Sequence, residues 1–367
     1  MDVLSSVARF DADSDRANLN CNRDPANSKS KRRDSCARNN PHLPANMAKT
    51  YRNLYDELCS IENVESAFKK AKKGKAKKEY VREFEAHSQE ELQRLQEELL
   101  SLAYEPQPLK KFIIRDPKTR KIHASHFRDR VVYHALVNVL NPLFEKCFIH
   151  DSYASRAGKG THKAVQRFDV FKRKVSKNGK LVKNKFDNNS IIGYVFKADI
   201  RHFFENVDHK ILLYIIQKKI KDDKVIWLIK KILANFEAKV KGKGMPLGNL
   251  TSQFFANIYL NELDKFVKHV LRAKYYMRYV DDFIIVDDSK EKLLAFKEKI
   301  REFIKKLGLD MHQDKSKIIP LRNGILVLGY RIFYHYKLLR KSNKKKFGKK
   351  LSQELESRNF GFSDRLL

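Results

Sequence analysis

An acidic pair lies inside an apolar, strand-like run, and it limits the structures that this sequence can adopt more than any other feature. Residues 275–286 read YYMRYVDDFIIV, so Asp281 and Asp282 separate two stretches rich in tyrosine, valine and isoleucine. β-Branched and aromatic residues are typical of strands, and the pair falls where a tight turn would join two of them. Charge within a hairpin is costly unless something compensates for it, and a bound divalent cation is one such compensator.

A third carboxylate follows an apolar run earlier in the chain. Residues 191–209, IIGYVFKADIRHFFENVDH, predict a strand that ends at Asp199 and turns into a helix. If the two strands are neighbours, Asp199, Asp281 and Asp282 converge. Such a site suits two Mg²⁺ ions roughly 3.5–4 Å apart, which activate an attacking 3′-oxygen and hold a leaving phosphate. The alternative for each residue is an aspartate that only caps a turn.

The chain contains two further Asp-Asp pairs, and their surroundings predict simpler roles. Asp222 and Asp223 lie among lysines, which favours a solvated connection between helices. Asp287 and Asp288 lie before SKEK, which favours a loop or a helix cap.

The charge of the chain indicates a polyanionic partner. Its 367 residues include 77 Lys and Arg against 44 Asp and Glu, a formal net charge of +33. Solubility needs no such excess, so nucleic acid is the expected partner, although a generally lysine-rich composition is an alternative. The four cysteines form no C-x-x-C pair, and no apolar run approaches membrane-spanning length. We therefore expect a reducing, cytoplasmic location without a membrane.

Periodicity divides the chain into polar and structured segments. The predicted segments are a disordered basic lead or reading-frame extension at 1–46, an amphipathic helix at 88–104 with Leu92, Leu95, Leu99 and Leu102 on one face, strands around an Asp-Pro turn at 110–127, a buried helix at 128–148 and a basic insertion at 172–190. Beyond 191 the predicted order is β-α, α, β-β, α, β-β. That order predicts an α+β fold with an antiparallel sheet and helices on one side.

Several separated blocks resemble reverse transcriptases. FKADIRHFF, MPLGNLTSQFFANIYLNELD, YVDD preceded by MR, and LGYRI occur in that family's order, and the resemblance runs from about Asn53 to Arg340. ENVESAFKKAKKGK, FRDRVVYHAL, YASRAGKGTHKA and LGNLTSQ make the chain most similar to the reverse transcriptases of diversity-generating retroelements. The resemblance implies an error-prone RNA-directed DNA polymerase used for gene diversification. The alternatives are a phage-defence, retron or group II intron enzyme, or a catalytically dead RNA-binding relative.

The resemblance also implies an architecture. It is a right-hand polymerase with fingers, an antiparallel-sheet palm and a short helical thumb. The implied ranges are N-terminal helices and fingers at 47–190, a palm at 191–336 with a fingers segment near 210–250, and a short or truncated thumb at 337–367.

The resemblance assigns roles to individual residues. Metal binding and catalysis fall to Asp199, Asp281 and Asp282, with help from the Ile200 carbonyl. Nucleotide binding falls to Arg120, Lys121, Phe204, Leu247, Gly248 and Gln253, where Phe204 would block a sugar 2′-hydroxyl. Template or primer binding falls to Arg156, Lys159, His162, Gly329 and Tyr330. The alternatives are core packing for Phe204 and Leu247, an ordinary surface role for the cations, and an ordinary hairpin turn at Gly329.

The implied cofactors and partners follow from those roles. Two Mg²⁺ ions, with Mn²⁺ as an alternative, would act with template RNA, a cDNA primer strand and dNTPs. The family resemblance also implies a small basic accessory protein and a prokaryotic, archaeal or phage-encoded origin.

Overall fold

The computed structural model of the chain describes residues 49–115, 119–181 and 190–363, with side chains as far as 355. The predicted lead at 1–46 and the Asp-Pro turn at 116–117 lie outside the described residues, as do 182–189 of the predicted insertion. The described chain forms two compact units. One comprises 49–150, Ile200–Lys274 and Ile300–Met311, and the other comprises Asp151–Asp199, Tyr275–Lys299 and 312–363.

The first unit is mainly helical. Its first five helices are α1 Tyr55–Cys59, α2 Ile61–Lys72, α3 Glu79–Ala86, α4 Ser88–Leu100 and α5 Phe127–Glu145. After α6, Thr161–Val175, which belongs to the second unit, come α7 Phe203–Asn206, α8 His209–Gln217, α9 Asp223–Ala234 and α10 Leu250–Lys265, which continues as a π-helix at Phe266–Val270. A two-stranded antiparallel sheet of β1 Lys110–Ile114 and β2 Arg120–Ala124 confirms the strand pair predicted at 110–127.

The apolar faces of these helices form the core of the first unit. The α2 and α10 helices both pack against α5, and α2 begins where the Ser60 hydroxyl accepts a hydrogen bond from the Asn63 N–H at 3.2 Å. The predicted helix at 88–104 ends early. Leu102 has a φ of +57° and an exposed side chain, so its assignment to the apolar face is wrong.

Asp222 is not the solvated residue that its lysine-rich surroundings predict. Its side chain is buried and caps α9, accepting from the N–H groups of Lys224 at 3.1 Å and Val225 at 3.2 Å. It also accepts from Leu54 at 2.7 Å and Tyr55 at 3.0 Å, at the start of α1. Four N–H donors offset the cost of burying this carboxylate, so Asp222 joins two distant parts of the chain.

The second unit is built on an antiparallel sheet. Its elements are α6 Thr161–Val175, β3 Tyr194–Arg201, β4 Tyr275–Tyr279, β5 Asp282–Asp287, β7 Lys317–Pro320, β8 Ile325–Val327, β9 Tyr330–Ile332, β10 Lys337–Leu339 and the last helix, α12 Lys341–Ser363. The remaining elements are α11 Lys290–Lys306, which crosses from the second unit into the first, and β6 Asp310–Met311 of the first unit. The β5 strand lies between β4 and β3, and β7 pairs with β3 as well. The strands β8, β9 and β10 form a separate antiparallel sheet.

The structure differs from the sequence prediction at three places in this region. The sequence predicts neither β6, whose two residues pair with Ile200 and Arg201, nor β7. The predicted basic insertion also begins inside α6, where Lys172 is buried and its ammonium donates to the carbonyls of Phe333 at 2.7 Å and Tyr334 at 3.0 Å. Asp287 closes β5 as a buried residue and accepts from Lys292 at 2.7 Å, so it belongs to a strand.

The core of the second unit lies between α6 and the two sheets. Its buried side chains include Phe168 and Phe171 of α6, Ile284 and Val286 of β5, and Ile325 of β8. The mixture of helices and antiparallel pairing agrees with the predicted α+β class. Within the described ranges, no helix is long and apolar enough to cross a membrane.

Candidate active site

The acidic pair lies on a two-residue hairpin turn in the second unit. Tyr279 of β4 pairs with Asp282 of β5, so only Val280 and Asp281 form the turn. Val280 has a φ of +55°, a left-handed conformation that is rare for a β-branched side chain. Such a residue costs on the order of 1–3 kcal/mol and persists only where its surroundings enforce it. The strain is therefore stored at the acidic turn itself.

Asp199 lies directly opposite Asp282. The β3 strand pairs with β5 in a register that aligns these two residues, which confirms the expectation that their strands are neighbours. Opposed residues on antiparallel strands bring their Cβ atoms within roughly 4.5–5.5 Å, and like charges in that position destabilise the pair. The fold thus places two carboxylates where a cation is needed.

A lysine that the sequence reasoning missed lies against Asp199. The Lys315 ammonium is 3.1 Å from Asp199 Oδ2, and the two side chains are 47% and 20% exposed. The neighbouring segment fixes the Asp199 backbone, whose carbonyl accepts from His312 N–H at 2.8 Å and whose N–H donates to Ser316 Oγ at 3.4 Å. A cation therefore already occupies one side of this carboxylate.

The carboxylates suit a hard divalent ion by their chemistry. Among the described residues, no group of three or more His, Cys, Asp or Glu side chains is arranged to hold a metal ion. Mg²⁺, however, is usually bound through one or two carboxylates together with substrate phosphates and water. Asp199 and Asp282, opposed on paired strands, provide oxygen donors of that kind, so these two residues fit the ion, while the convergence of Asp281 with them stays a prediction.

The basic loop predicted to bind template or primer is attached to the acidic hairpin. Gly160 N–H donates to the Tyr153 carbonyl at 2.9 Å, and the Lys159 ammonium lies 5.3 Å from the centre of the Tyr153 ring. The Thr161 hydroxyl, at the start of α6, lies 3.3 Å from the Tyr279 hydroxyl. The structure therefore brings the loop that carries Arg156, Lys159 and His162 next to the acidic turn, and His162 is exposed there.

The LGY turn lies near the same hairpin. Leu328 and Gly329 form the two-residue turn between β8 and β9, with φ values of +45° and +91°. A Cβ atom on Gly329 would lie 2.8 Å from Asn343 Nδ2, the end of a side chain that can rotate away, so it is the positive φ of Gly329 that favours glycine here. A cavity of about 20 Å³ is lined by Leu328 together with Lys197, Met277, Tyr279, Asp282, Ile284 and Val327. Tyr330 is half-buried against the core of this unit.

The predicted nucleotide-binding residues lie in the first unit, around residues 245–249. The Leu247 carbonyl accepts from His123 N–H of β2 at 3.3 Å, and a Cβ atom on Gly248 would lie 3.1 Å from Ile122. Arg120 and Lys121 at the start of β2 are exposed. The β1–β2 hairpin and the loop at 245–249 are therefore in contact, with the exposed side chains of Arg120 and Lys121 close to that contact.

Phe204 is tied to the same loop. Its carbonyl accepts from Met245 N–H at 2.7 Å, and its ring is half-buried, whereas Phe203 beside it is only 2% exposed. Gln253, in the first turn of α10, is exposed, and the Ile200 side chain is fully buried. Phe203 is thus the core residue of the pair, and Phe204 keeps a face available. Its action as a gate stays a prediction.

The sequence matches the family described as reverse transcriptase (RNA-dependent DNA polymerase) over residues 110–332. This range includes Asp199, the acidic hairpin, the loop at 245–249 and the LGY turn. The chain therefore belongs to the reverse transcriptase family, whose right-hand polymerase fold was predicted from the sequence. Reverse transcriptases generally use divalent metal ions.

Two bacterial proteins are similar to this chain. Protein YkfC of Escherichia coli (strain K12) is 26% identical over 282 residues, which cover 66% of this chain and 71% of YkfC. Group II intron-encoded protein LtrA of Lactococcus lactis subsp. cremoris is 26% identical over 317 residues, which cover 67% of this chain and 50% of LtrA. The chain thus spans about half the length of LtrA.

Solved structures are also similar to this chain, and one of them is a telomerase. Apo telomerase from Candida tropicalis superposes with a TM-score of 0.48 and 14% identity, covering 64% of this chain and 49% of the telomerase chain.

Proposed function

We propose that this protein is an RNA-directed DNA polymerase that extends a primer strand with dNTPs on an RNA template. The observation that supports the proposal best is the register that opposes Asp199 and Asp282, within a chain that belongs to the reverse transcriptase family. The net charge of +33 supports a nucleic acid partner.

In the proposed reaction, the primer 3′-oxygen attacks the α-phosphorus of the dNTP. A bond forms between that oxygen and phosphorus, the bond to the bridging oxygen breaks, and pyrophosphate leaves. Asp199, Asp281 and Asp282, with the Ile200 carbonyl, would hold two Mg²⁺ ions, or Mn²⁺ as an alternative. When bound, such ions acidify the attacking hydroxyl and stabilise the charge on the phosphates. Lys315 keeps the Asp199 carboxylate in place through its ion pair.

The remaining predicted residues bind the substrates. Arg120 and Lys121 bind the triphosphate through charge-assisted hydrogen bonds, while Leu247, Gly248 and Gln253 lie beside the nascent base pair. Arg156, Lys159 and His162 contact the strand backbone, and Gly329 and Tyr330 hold the primer end. In this proposal the fingers, palm and thumb follow the ranges 47–190, 191–336 and 337–367.

We further propose the error-prone copying of the diversity-generating type, supported by LGNLTSQ at residues 247–253. A glutamine at position 247 could hydrogen-bond near the incoming sugar, which leucine cannot do. A tenfold loss of discrimination needs about 1.4 kcal/mol, and one hydrogen bond contributes roughly 0.5–1.5 kcal/mol. The partners would be template RNA, the cDNA primer strand and a small basic accessory protein, in the cytoplasm of a prokaryotic host.

A group II intron enzyme is the second candidate. The likeness to the Lactococcus group II intron-encoded protein favours it, over 67% of this chain. Accurate copying would distinguish this candidate from the error-prone one. A catalytically dead RNA-binding relative is a third reading, which the presence of Asp199, Asp281 and Asp282 disfavours.

Primer extension on a defined RNA template with Mg²⁺ tests the activity. We expect Asp199→Asn and Asp281→Asn to abolish extension while RNA affinity stays close to that of the wild type, because affinity comes from many basic contacts. Asp288→Asn, at an exposed acid of a different Asp-Asp pair, is the matched control and keeps its activity. Near-normal extension by either site variant would refute the assignment.

Sequencing of the cDNA tests the fidelity. We expect frequent misincorporation opposite template adenine by the wild type, and fewer errors by Leu247→Gln. The preference for adenine comes from the family resemblance. Equal error spectra for the two proteins, or wild-type accuracy at adenine equal to that at other bases, would favour the intron-type or another prokaryotic reverse transcriptase.

A further inference from the structure

Arg278 is a fully buried arginine two residues before the acidic turn. Arg278 is 0% exposed, and among the residues that the structure describes it has the largest of the fully buried side chains. Burial of a guanidinium is costly unless hydrogen bonds and charge compensate for it. A leucine or methionine would fill the same space in β4 without that cost. The position therefore needs an explanation beyond packing.

The side chain of Arg278 reaches the acidic turn. Its Nη1 donates a hydrogen bond to the Val280 carbonyl at 3.1 Å. Val280 is the residue with the left-handed φ of +55°, and its carbonyl belongs to the peptide that leads into Asp281. A charge-assisted hydrogen bond to that carbonyl fixes the peptide plane on which the position of Asp281 depends.

The backbone of Arg278 is fixed from the other direction. Its N–H donates to the Asp151 carbonyl at 2.9 Å, and its carbonyl accepts from Tyr153 N–H at 3.0 Å. This parallel bridge joins β4 to the segment that leads into the basic loop. Arg156 donates to the Ser152 carbonyl at 3.0 Å in the same segment. One residue thus connects the basic loop and the acidic turn.

We propose that Arg278 is a positioning residue that holds the strained Val280–Asp281 turn in the conformation needed to bind divalent metal ions. The proposal rests on the proposed function of Asp281 and Asp282 as metal ligands. Arg278 acts through the turn and touches neither substrate nor metal. Its loss should therefore weaken metal binding and leave the binding of RNA unchanged.

The test measures metal binding and primer extension on the full chain. In Arg278→Met, which keeps the length and apolar volume of the side chain, we expect the dissociation constant for Mn²⁺, measured by electron paramagnetic resonance, to rise roughly tenfold. Residues that orient metal ligands typically contribute 10- to 100-fold in metal affinity. The Mg²⁺ concentration needed for half-maximal extension should rise in parallel, while RNA affinity is unchanged. Arg278→Lys, which keeps a donor, should give an intermediate value.

A second substitution distinguishes the positioning of the turn from general stability. Glycine adopts a φ of +55° without strain, so Val280→Gly should restore part of the metal affinity lost in Arg278→Met. A double-mutant cycle measures this coupling. If Arg278→Met does not fold, Arg278→Lys combined with Val280→Gly carries the same test.

The outcomes separate this proposal from the proposed function. If the wild type binds Mn²⁺ through Asp282 but extends no primer, the proposed polymerase activity is refuted. The Mn²⁺ affinity of Arg278→Met then still decides the positioning role of Arg278. Each of four outcomes would overturn the positioning role. In Arg278→Met these are an unchanged affinity for Mn²⁺, a loss of RNA affinity as large as the loss of metal affinity, and no coupling to Val280→Gly. The fourth is a wild type that binds no Mn²⁺.

Discussion

At the scale of single residues, the neighbours Phe203 and Phe204 have different surroundings that their sequence does not reveal. Both are phenylalanines that follow the same strand, and their rings meet edge to face at 5.2 Å between centroids. The first is core, and the second is half-buried beside the loop at 245–249. This difference makes the pair a test and a matched control for the predicted exclusion of ribonucleotides.

We expect Phe204→Val to incorporate ribonucleotides much more readily than the wild type, because a planar ring would otherwise clash with the 2′-hydroxyl. Competition between dNTPs and rNTPs in primer extension measures the ratio. Phe203→Leu should leave that ratio unchanged and instead lower the free energy of unfolding by roughly 1–2 kcal/mol, as core substitutions commonly do. A Phe204→Val enzyme as selective as the wild type would show that Phe204 is only packing.

The sequence reveals some site residues and hides others for physical reasons. Asp199 and Asp282 could be predicted because a charge at the end of an apolar strand is unusual and therefore informative. Lys315 and Arg278 could not, since cations are common in this chain, with 77 Lys and Arg. Their roles depend on the strand register and on a turn conformation, which no local pattern encodes.

At the scale of elements, the sequence predicts the long periodic helices and the strand pair at 110–127, but it misses two short strands. The sequence missed β6 and β7, of two and four residues, because such short strands show no alternation and form only against β3. The helix predicted at 88–104 ends at Leu100 instead. Asp222 was misjudged because its four donors come partly from a segment about 170 residues earlier in the chain.

The cap of α9 gives a prediction for stability. We expect Asp222→Ala to lower the free energy of unfolding by roughly 2–3 kcal/mol, since it removes a helix cap and leaves buried N–H groups at α1 without an acceptor. Asp223→Ala, at the exposed neighbour, should change stability by about 0.5 kcal/mol or less. Urea denaturation of both variants measures the difference, and equal effects would contradict the joining role of Asp222.

At the scale of the whole molecule, charge is the dominant property. The whole chain carries an excess of 33 positive charges, and the basic loop at 156–162 places part of it beside the acidic turn. Binding to a polyanion then gains much of its free energy from released counterions, so it must weaken as salt rises.

We expect the affinity for template RNA to fall by on the order of 10³ between 50 and 200 mM salt, as for proteins that make several phosphate contacts. Replacing Arg156 and Lys159 by glutamine should reduce the slope of log affinity against log salt by about 1–2. Replacing the exposed Lys305 and Lys306, which the proposal does not assign to RNA, should change it less. Fluorescence anisotropy measures both slopes, and an affinity that is flat with salt would contradict the interpretation of the charge.

The position of β3 in the sheet has a consequence for synthesis on the ribosome. All its partners, β5, β6 and β7, follow it in the chain. Both edges of this apolar strand therefore stay unpaired until those strands have been synthesised. At roughly 5–20 residues per second, synthesis of the chain from β3 to β7 takes on the order of ten seconds. Unpaired strand edges are templates for aggregation. A nascent chain of this enzyme is therefore expected to depend on chaperones during that interval, and rare codons between β3 and β7 should lower its soluble yield.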